Sequence, residues 1–298
     1  MDVYRTPDER FDDLSGFPFE PHYAELDSLR MHYLDEGDPA APDTVLLLHG
    51  EPTWAYLYRK MIPLLAGHRS TRAVAPDLFG FGRSDKPTNR DFYTYDRHCA
   101  SIVEFVKILD LSGITLALQD WGGPIGLRFA VENPERVARL VVLNTGLFVS
   151  DRPPGEGFMR WRDFAERTGL DLPIGVVIQS ATATDVPPDI IAGYEAPFPE
   201  REAKTGAAMF PLLVPLSTTD PGAKEMMATK EALQSWDKPA LVYFSDSDPV
   251  FRPHVAEAMA QLIPTAGQPE FLEGASHFLQ EDKGEDIARR IIRFLDET

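Results

Sequence analysis

Residues 116–126 read L-A-L-Q-D-W-G-G-P-I-G. An apolar run stops at Gln119-Asp120, and Trp121-Gly122-Gly123 leads into a segment of helical character. A strand that turns sharply into a helix through small residues is the outline of a nucleophile elbow, which exposes a reactive side chain at the top of a sheet. The turn position holds Asp120 where serine is usual, and no G-x-S-x-G occurs anywhere in the chain. The chemistry has to suit a carboxylate.

Upstream, Y-A-E-L (23–26) and L-R-M-H-Y-L (29–34) alternate like an antiparallel pair. T-V-L-L-L-H-G (44–50) is continuously apolar, which predicts a strand buried on both faces. Strands are also expected at T-R-A-V-A-P-D (71–77), I-T-L-A-L (114–118) and R-L-V-V-L-N (139–144), with helices over 55–66, 95–109 and 124–132. Strands alternating with helices imply an α/β fold with a mostly parallel central sheet and helices on both faces.

From Leu147 to about Trp236 the rhythm gives way to proline-rich, short helix-like pieces with no clear strand. It resumes with P-A-L-V-Y-F-S-D-S-D, a helix over 253–263, P-E-F-L-E-G and the amphipathic D-I-A-R-R-I-I-R-F-L. The expected organisation is a core of 1–146 and 237–298 with a helical cap, 147–236, inserted between two stretches of one sheet. Such an insertion roofs the carboxyl edge of the strands, where open α/β sheets bind ligands.

The chain of 298 residues carries 29 Lys and Arg against 47 Asp and Glu, a formal net charge of −18. Acidity of that size argues against nucleic-acid or anionic-membrane partners, which need basic stripes. A lone cysteine, Cys99, excludes an intramolecular disulfide and fits a reducing compartment. Neither a signal-peptide pattern nor a membrane-length apolar run is present, so a soluble cytoplasmic protein is expected. No histidine pair or carboxylate cluster has metal-ligand spacing, and G-F-G-R-S lacks the helix context of a dinucleotide loop; no metal or cofactor is expected. No obligate protein partner is evident.

Polar residues collect at the ends of the predicted strands: H-G-E-P-T-W (49–54), Q-D-W-G-G (119–123), S-D-S-D-P (245–249) and G-A-S-H-F (274–278). An aspartate after a strand, taken alone, is usually a turn former or helix cap. Asp120, Asp248 and His277 together stand in the order nucleophile, acid, histidine. The backbone N–H of Trp121 follows the nucleophile as an elbow requires, and that of Glu51 is the matching second donor of an oxyanion hole.

H-G-E-P-T-W, P-D-L-F-G-F-G-R-S-D-K-P, Q-D-W-G-G and A-S-H-F closely resemble the haloalkane dehalogenases of the α/β-hydrolase superfamily, along almost the full chain. The resemblance implies an Asp–His–Asp triad of Asp120, His277 and Asp248, with Asp246 the alternative acid. It implies that Asp120 displaces halide from carbon to form an alkyl ester, which His277 and water then open to alcohol, halide and a proton. Serine would give an ether at this stage, which the second step could not undo. The resemblance also makes Trp121 and Trp161 the halide ligands, with Trp161 set three residues after Phe158 as in the family's cap. Phe158, Phe210, Pro211 and Val214 are expected to line the substrate pocket. The expected partners are a small halogenated aliphatic substrate, water and halide.

An epoxide hydrolase shares the D-W-G elbow and the ester intermediate, but it needs tyrosine acids in the cap, where this chain offers only Tyr194. A small-molecule receptor of the same fold would not need all three triad residues. Pro124 and L-D-L-P-I-G-V-V-I-Q depart from the best-known pocket pattern, so substrate preference does not carry over.

Overall fold

The computed structural model describes residues 2–68, 71–149 and 154–298. Its framework is an eight-stranded sheet made of β2 (His22–Leu26), β3 (Leu29–Gly37), β4 (Asp43–Leu48), β5 (Thr71–Pro76), β7 (Ile114–Gln119), β8 (Val137–Leu143), β9 (Ala240–Ser245) and β10 (Glu270–Leu272). The spatial order is β10-β9-β8-β7-β4-β5-β3-β2. Pairing is parallel from β10 to β5, while β3 runs antiparallel to both β5 and β2. A two-residue antiparallel bridge, β1 (Val3–Tyr4) with β6 (Lys86–Pro87), ties down the N-terminus. The central strands are buried along nearly their whole length, as their unbroken apolar runs require.

Helices α1 (Ile62–Gly67), α2 (Tyr95–Ile108), α3 (Gly122–Glu132), α9 (Pro253–Leu262) and α10 (Leu279–Glu297) accompany these strands. Thr94 caps α2, its hydroxyl accepting the Arg97 N–H at 3.1 Å. The single helix expected over 55–66 is instead a 3₁₀ turn, Ala55–Tyr58, followed by α1. Pro63 breaks it, because it has no N–H to donate and fits only a helix's first turn; the Ala55 N–H, unpaired at the start of any helix here, is taken by Asp77 Oδ1 at 2.8 Å.

Between β8 and β9 the described residues form helices and no strand: α4 (Glu156–Thr168), α5 (Ile174–Ser180), α6 (Pro188–Glu195), α7 (Thr205–Leu213) and α8 (Ala223–Leu233). Residues 150–153 of the expected cap lie outside the described residues. α4 packs on α7, and α5 on α6. α8 behaves differently, since it packs on α3 beside the sheet although it falls inside the expected cap. Ala223, Met226 and Leu233 give it a buried apolar face for that purpose.

The inserted helices are anchored to the sheet through a buried ion pair. Arg59 donates to both carboxylate oxygens of Glu281 at 2.7 and 2.8 Å, and the Tyr194 hydroxyl of α6 donates to Glu281 Oε2 at 2.7 Å. Lys60 lies 2.8 Å from the other oxygen. The Arg59 and Glu281 side chains are only 3% and 4% exposed. Removing one member of such a pair strands the other's charge in a dry site. Glu281→Gln should therefore cost about 3–5 kcal/mol, read as a lower urea midpoint at an unchanged m-value. A midpoint within error of wild type would show that the junction does not depend on this carboxylate.

Candidate active site

β7 ends at Gln119, and Asp120 makes the turn into α3 with φ +48°, a left-handed conformation that a side-chain-bearing residue keeps only under constraint. The constraints are visible. The Asp120 N–H donates to Asn144 O at 3.1 Å, and its carbonyl accepts the Gly123 N–H at 2.9 Å and the Thr145 hydroxyl at 2.5 Å. The turn is also tight against β4: a Cβ at Gly122 would lie 2.0 Å from the Leu48 carbonyl oxygen. Gly50 is equally confined, because a Cβ there would fall 2.2 Å from Asp120 Oδ1. Gly50 of H-G-E-P and Gly122 of D-W-G-G let these two strand ends touch.

The two oxygens of Asp120 have different surroundings. Oδ1 accepts the Glu51 N–H at 2.9 Å, and the Trp121 N–H also bonds the carboxylate. Oδ2 lies 3.7 Å from His277 Nε2. Burial pushes the Asp120 pKa up, against the pull of His277 and the two amides.

His277 stands in the loop after β10, where its Nδ1 meets Asp248 Oδ2 at 2.9 Å. Asp248 Oδ1 accepts the N–H groups of Val250 at 2.7 Å and Phe251 at 3.0 Å, so both its oxygens are engaged. Burial alone would lower the His277 pKa, but the charge and hydrogen bond of Asp248, with Asp120 behind, raise it above the ordinary imidazole value. Asp246 takes no part: its carboxylate bonds the Ser247 hydroxyl at 2.9 Å and the Gly274 N–H at 3.4 Å. The histidine loop is held from the sheet side by Gln119, whose amide donates to His277 O at 3.2 Å, and by Asn144, which donates to Ser276 O at 2.9 Å.

These groups open on a cavity of about 210 Å³, room for a small molecule. Asp120, Glu51 and His277 form its polar floor, and Trp121 and Trp161 both line it. Phe158, Pro211 and Val214 lie in its wall as well. Phe210 does not. It is fully buried behind Trp121, with its ring centroid 5.4 Å from the indole, 4.8 Å from Phe81 and 4.5 Å from His98. Neighbouring positions of α7 point to different faces, so Pro211 reaches the cavity and Phe210 supports the wall from behind. Phe148 and Phe251 line the cavity without having been singled out in the sequence. Both follow a strand end within a few residues, the one signal that could have found them.

A family model described as the alpha/beta hydrolase fold matches residues 43–284. A haloalkane dehalogenase of Psychrobacter cryohalolentis is 47% identical over 99% of this chain and 98% of its own length. Another, from Mycolicibacterium paratuberculosis, is 46% identical over 98% of each. The solved haloalkane dehalogenase of Paraglaciecola agarilytica superposes with a TM-score of 0.92 at 36% identity, covering 97% of both chains. The chain belongs to the haloalkane dehalogenases.

Two further side chains of this dehalogenase bear on its chemistry. Tyr194, the one cap tyrosine that could have served as an acid, is fully buried with its hydroxyl committed to Glu281, and it does not line the cavity. Glu51 is buried beside Asp120, and its Oε1 meets no hydrogen-bond partner among the described residues. Burial, then the Asp120 charge, drives its pKa well above the ordinary 4.5.

The consequence for stability has a definite sign. Above pH 4.5 the unfolded chain releases the Glu51 proton while the folded chain keeps it, so this residue's contribution to stability falls as pH rises until the folded form also ionises. Glu51→Gln removes that dependence. The variant should match wild type in urea unfolding near pH 4 and be the more stable of the two at pH 7. A variant less stable than wild type at pH 7 would mean that the side chain is ionised and usefully paired.

Proposed function

We propose that this chain hydrolyses small haloalkanes to alcohol, halide and a proton through an alkyl ester on Asp120. One observation carries the reading. The Glu51 N–H takes up Oδ1 of Asp120 and the Trp121 N–H also bonds the carboxylate, while Oδ2 lies 3.7 Å from His277 Nε2 at the cavity. In the first step Oδ2 attacks the halogen-bearing carbon and the halide leaves with the bonding electrons. In the second, His277 Nε2 takes a proton from water as the resulting hydroxide adds to the carboxyl carbon of the ester. The negative charge gathers on Oδ1, where the Glu51 N–H already points, with the Trp121 N–H also on the carboxyl group. Collapse breaks the Cγ–Oδ2 bond, His277 returns its proton to the departing alcohol oxygen, and the carboxylic acid left behind releases the water's second proton to restore the carboxylate. Asp248 keeps the imidazole in the tautomer that leaves Nε2 free to accept.

The departing halide needs donors that bring no competing acceptor, and indole N–H fits that need. We assign this role to Trp121 and Trp161, which face one cavity from the elbow and from α4. α4 to α7, within 147–236, act as the cap, while α8 serves the sheet. We place the enzyme in the cytoplasm, in keeping with its single buried cysteine; no helix among the described residues is long and apolar enough to cross a membrane. Epoxide opening is disfavoured because Tyr194, its would-be acid, is engaged elsewhere.

The test pairs bromide release from 1,2-dibromoethane with diol formation from an aryl epoxide. Wild type should release bromide and form no diol, and Asp120→Asn should do neither. His277→Phe should accumulate a mass-shifted alkyl-enzyme on the bromide substrate. Diol without bromide, or turnover in His277→Phe with no adduct, would overturn the mechanism.

The tryptophans can be separated from it. Trp161→Phe should weaken bromide quenching of the intrinsic fluorescence by about tenfold in affinity, the loss of roughly one hydrogen bond to a charged group. Equal quenching curves in variant and wild type would remove Trp161 from the halide site.

A further inference from the structure

The first turn of α10 follows His277 directly and carries two adjacent carboxylates, Glu281 and Asp282. Glu281 belongs to the buried pair with Arg59. Asp282 faces elsewhere, and its contacts are unusually many for one side chain. Its Oδ1 accepts the Thr184 N–H at 2.9 Å and the Thr184 hydroxyl at 2.8 Å. The Ala183 N–H is shared between the two oxygens at 3.1 and 3.0 Å. Oδ2 also accepts the N–H of Ser276, the residue before the histidine, at 2.9 Å.

One carboxylate thus joins the segment after α5 to the histidine loop. The same two segments meet again where the Phe278 N–H donates to Ala181 O at 3.1 Å. Ser180, Ala181, His277 and Phe278 all line the catalytic cavity, so the joint lies in the wall of the site. The loop is held from opposite sides. Gln119 and Asn144 grip its carbonyls from the sheet, while its N–H groups are gripped by Asp282 of α10, itself bonded to the cap segment, and by Ala181 of that segment. The helix backbone breaks immediately afterwards, at Lys283 (φ −141°, ψ 35°), so the turn bearing Asp282 is not in register with the rest of α10.

We infer that Asp282 is a positioning residue for His277, holding the base in reach of the ester through Ser276 and the cap segment 181–184. The inference rests on the ester mechanism proposed above. It singles out one step. Displacement of halide by Asp120 needs no base, whereas ester hydrolysis needs His277 within reach of a water and of Oδ2, now 3.7 Å away. Loosening the loop slows the second step and spares the first, because misplacing a catalytic group by about 1 Å costs up to about 10²-fold.

The experiment measures both steps separately by quenched-flow and mass spectrometry on 1,2-dibromoethane, for wild type, Asp282→Ala, Asp282→Asn and His277→Phe. Asp282→Ala should hydrolyse its ester about tenfold or more slowly, with alkylation changed far less and alkyl-enzyme accumulating during turnover. Asp282→Asn retains one acceptor oxygen and should fall between Asp282→Ala and wild type; it also serves if the alanine variant fails to fold. Equal slowing of both steps, or a raised KM with hydrolysis intact, would mean that Asp282 only fastens the cap, and the inference would be wrong. It would be equally wrong if neither step changed. Ester in His277→Phe but none in Asp282→Ala overturns the positioning role alone. No ester in either overturns the mechanism beneath it.

Discussion

A carboxylate that must stay ionised inside a buried, largely apolar cavity is the constraint on which this structure depends. Burying a charge without compensation is prohibitive, and a group so placed ordinarily takes up a proton instead. Asp120 shows that tendency, since burial pushes its pKa upward. What opposes it is the Glu51 and Trp121 amides together with the His277 imidazole. All three come from strand ends on one edge of a parallel sheet. The amides reach the carboxylate only because Gly50 and Gly122 allow the ends of β4 and β7 to approach within distances that forbid a Cβ. Backbone strain at the elbow and glycine at its neighbours are two faces of the same requirement.

The groups that steady the ground-state carboxylate are also those its chemistry needs. In the proposed mechanism the Glu51 amide that bonds Oδ1 of the free carboxylate meets the same oxygen when charge returns to it in the second step, so little reorganisation is required. Glu51 fits the same logic with opposite sign. A second ionised carboxyl beside Asp120 would raise the cost of the first, and burial with the Asp120 charge accordingly drives the Glu51 pKa upward.

The strands and the elbow were legible in the sequence because each is encoded locally. β4, β7 and β9 are apolar runs that permit no alternative face. Asp120, Asp248 and His277 stand at strand ends, so topology alone brings them together. The cavity wall was harder to read, since it depends on which way a helix turns. Phe210 and Pro211 are adjacent, and only packing against Phe81 and His98 decides that the phenylalanine looks inward to the core. The extent of the insertion was obscured in the same way. α8 is continuous in character with the helices before it, and only its apolar face, matched to α3, assigns it to the sheet. The break between Tyr58 and Ile62 has a local cause, Pro63, which an apolar helical period across 55–66 concealed.

In so acidic a chain the roles of the carboxylates are set by neighbours rather than by residue type. Asp246 and Asp248 are two residues apart on one loop; one bonds a serine and a glycine amide near the surface, while the other is sealed against His277 and two amides. Glu281 and Asp282 are adjacent in a single helical turn. One neutralises a buried arginine and holds α6 through Tyr194, and the other gathers N–H groups from the cap and the histidine loop. The short stretch from Ser276 to Asp282 therefore supplies the base, part of the cavity wall and two fastenings for the roof. A displacement of the inserted helices cannot leave this stretch untouched, and the catalytic histidine lies within it. The inserted helices are in this sense fastened to the stretch that the proposed mechanism relies on to place its base.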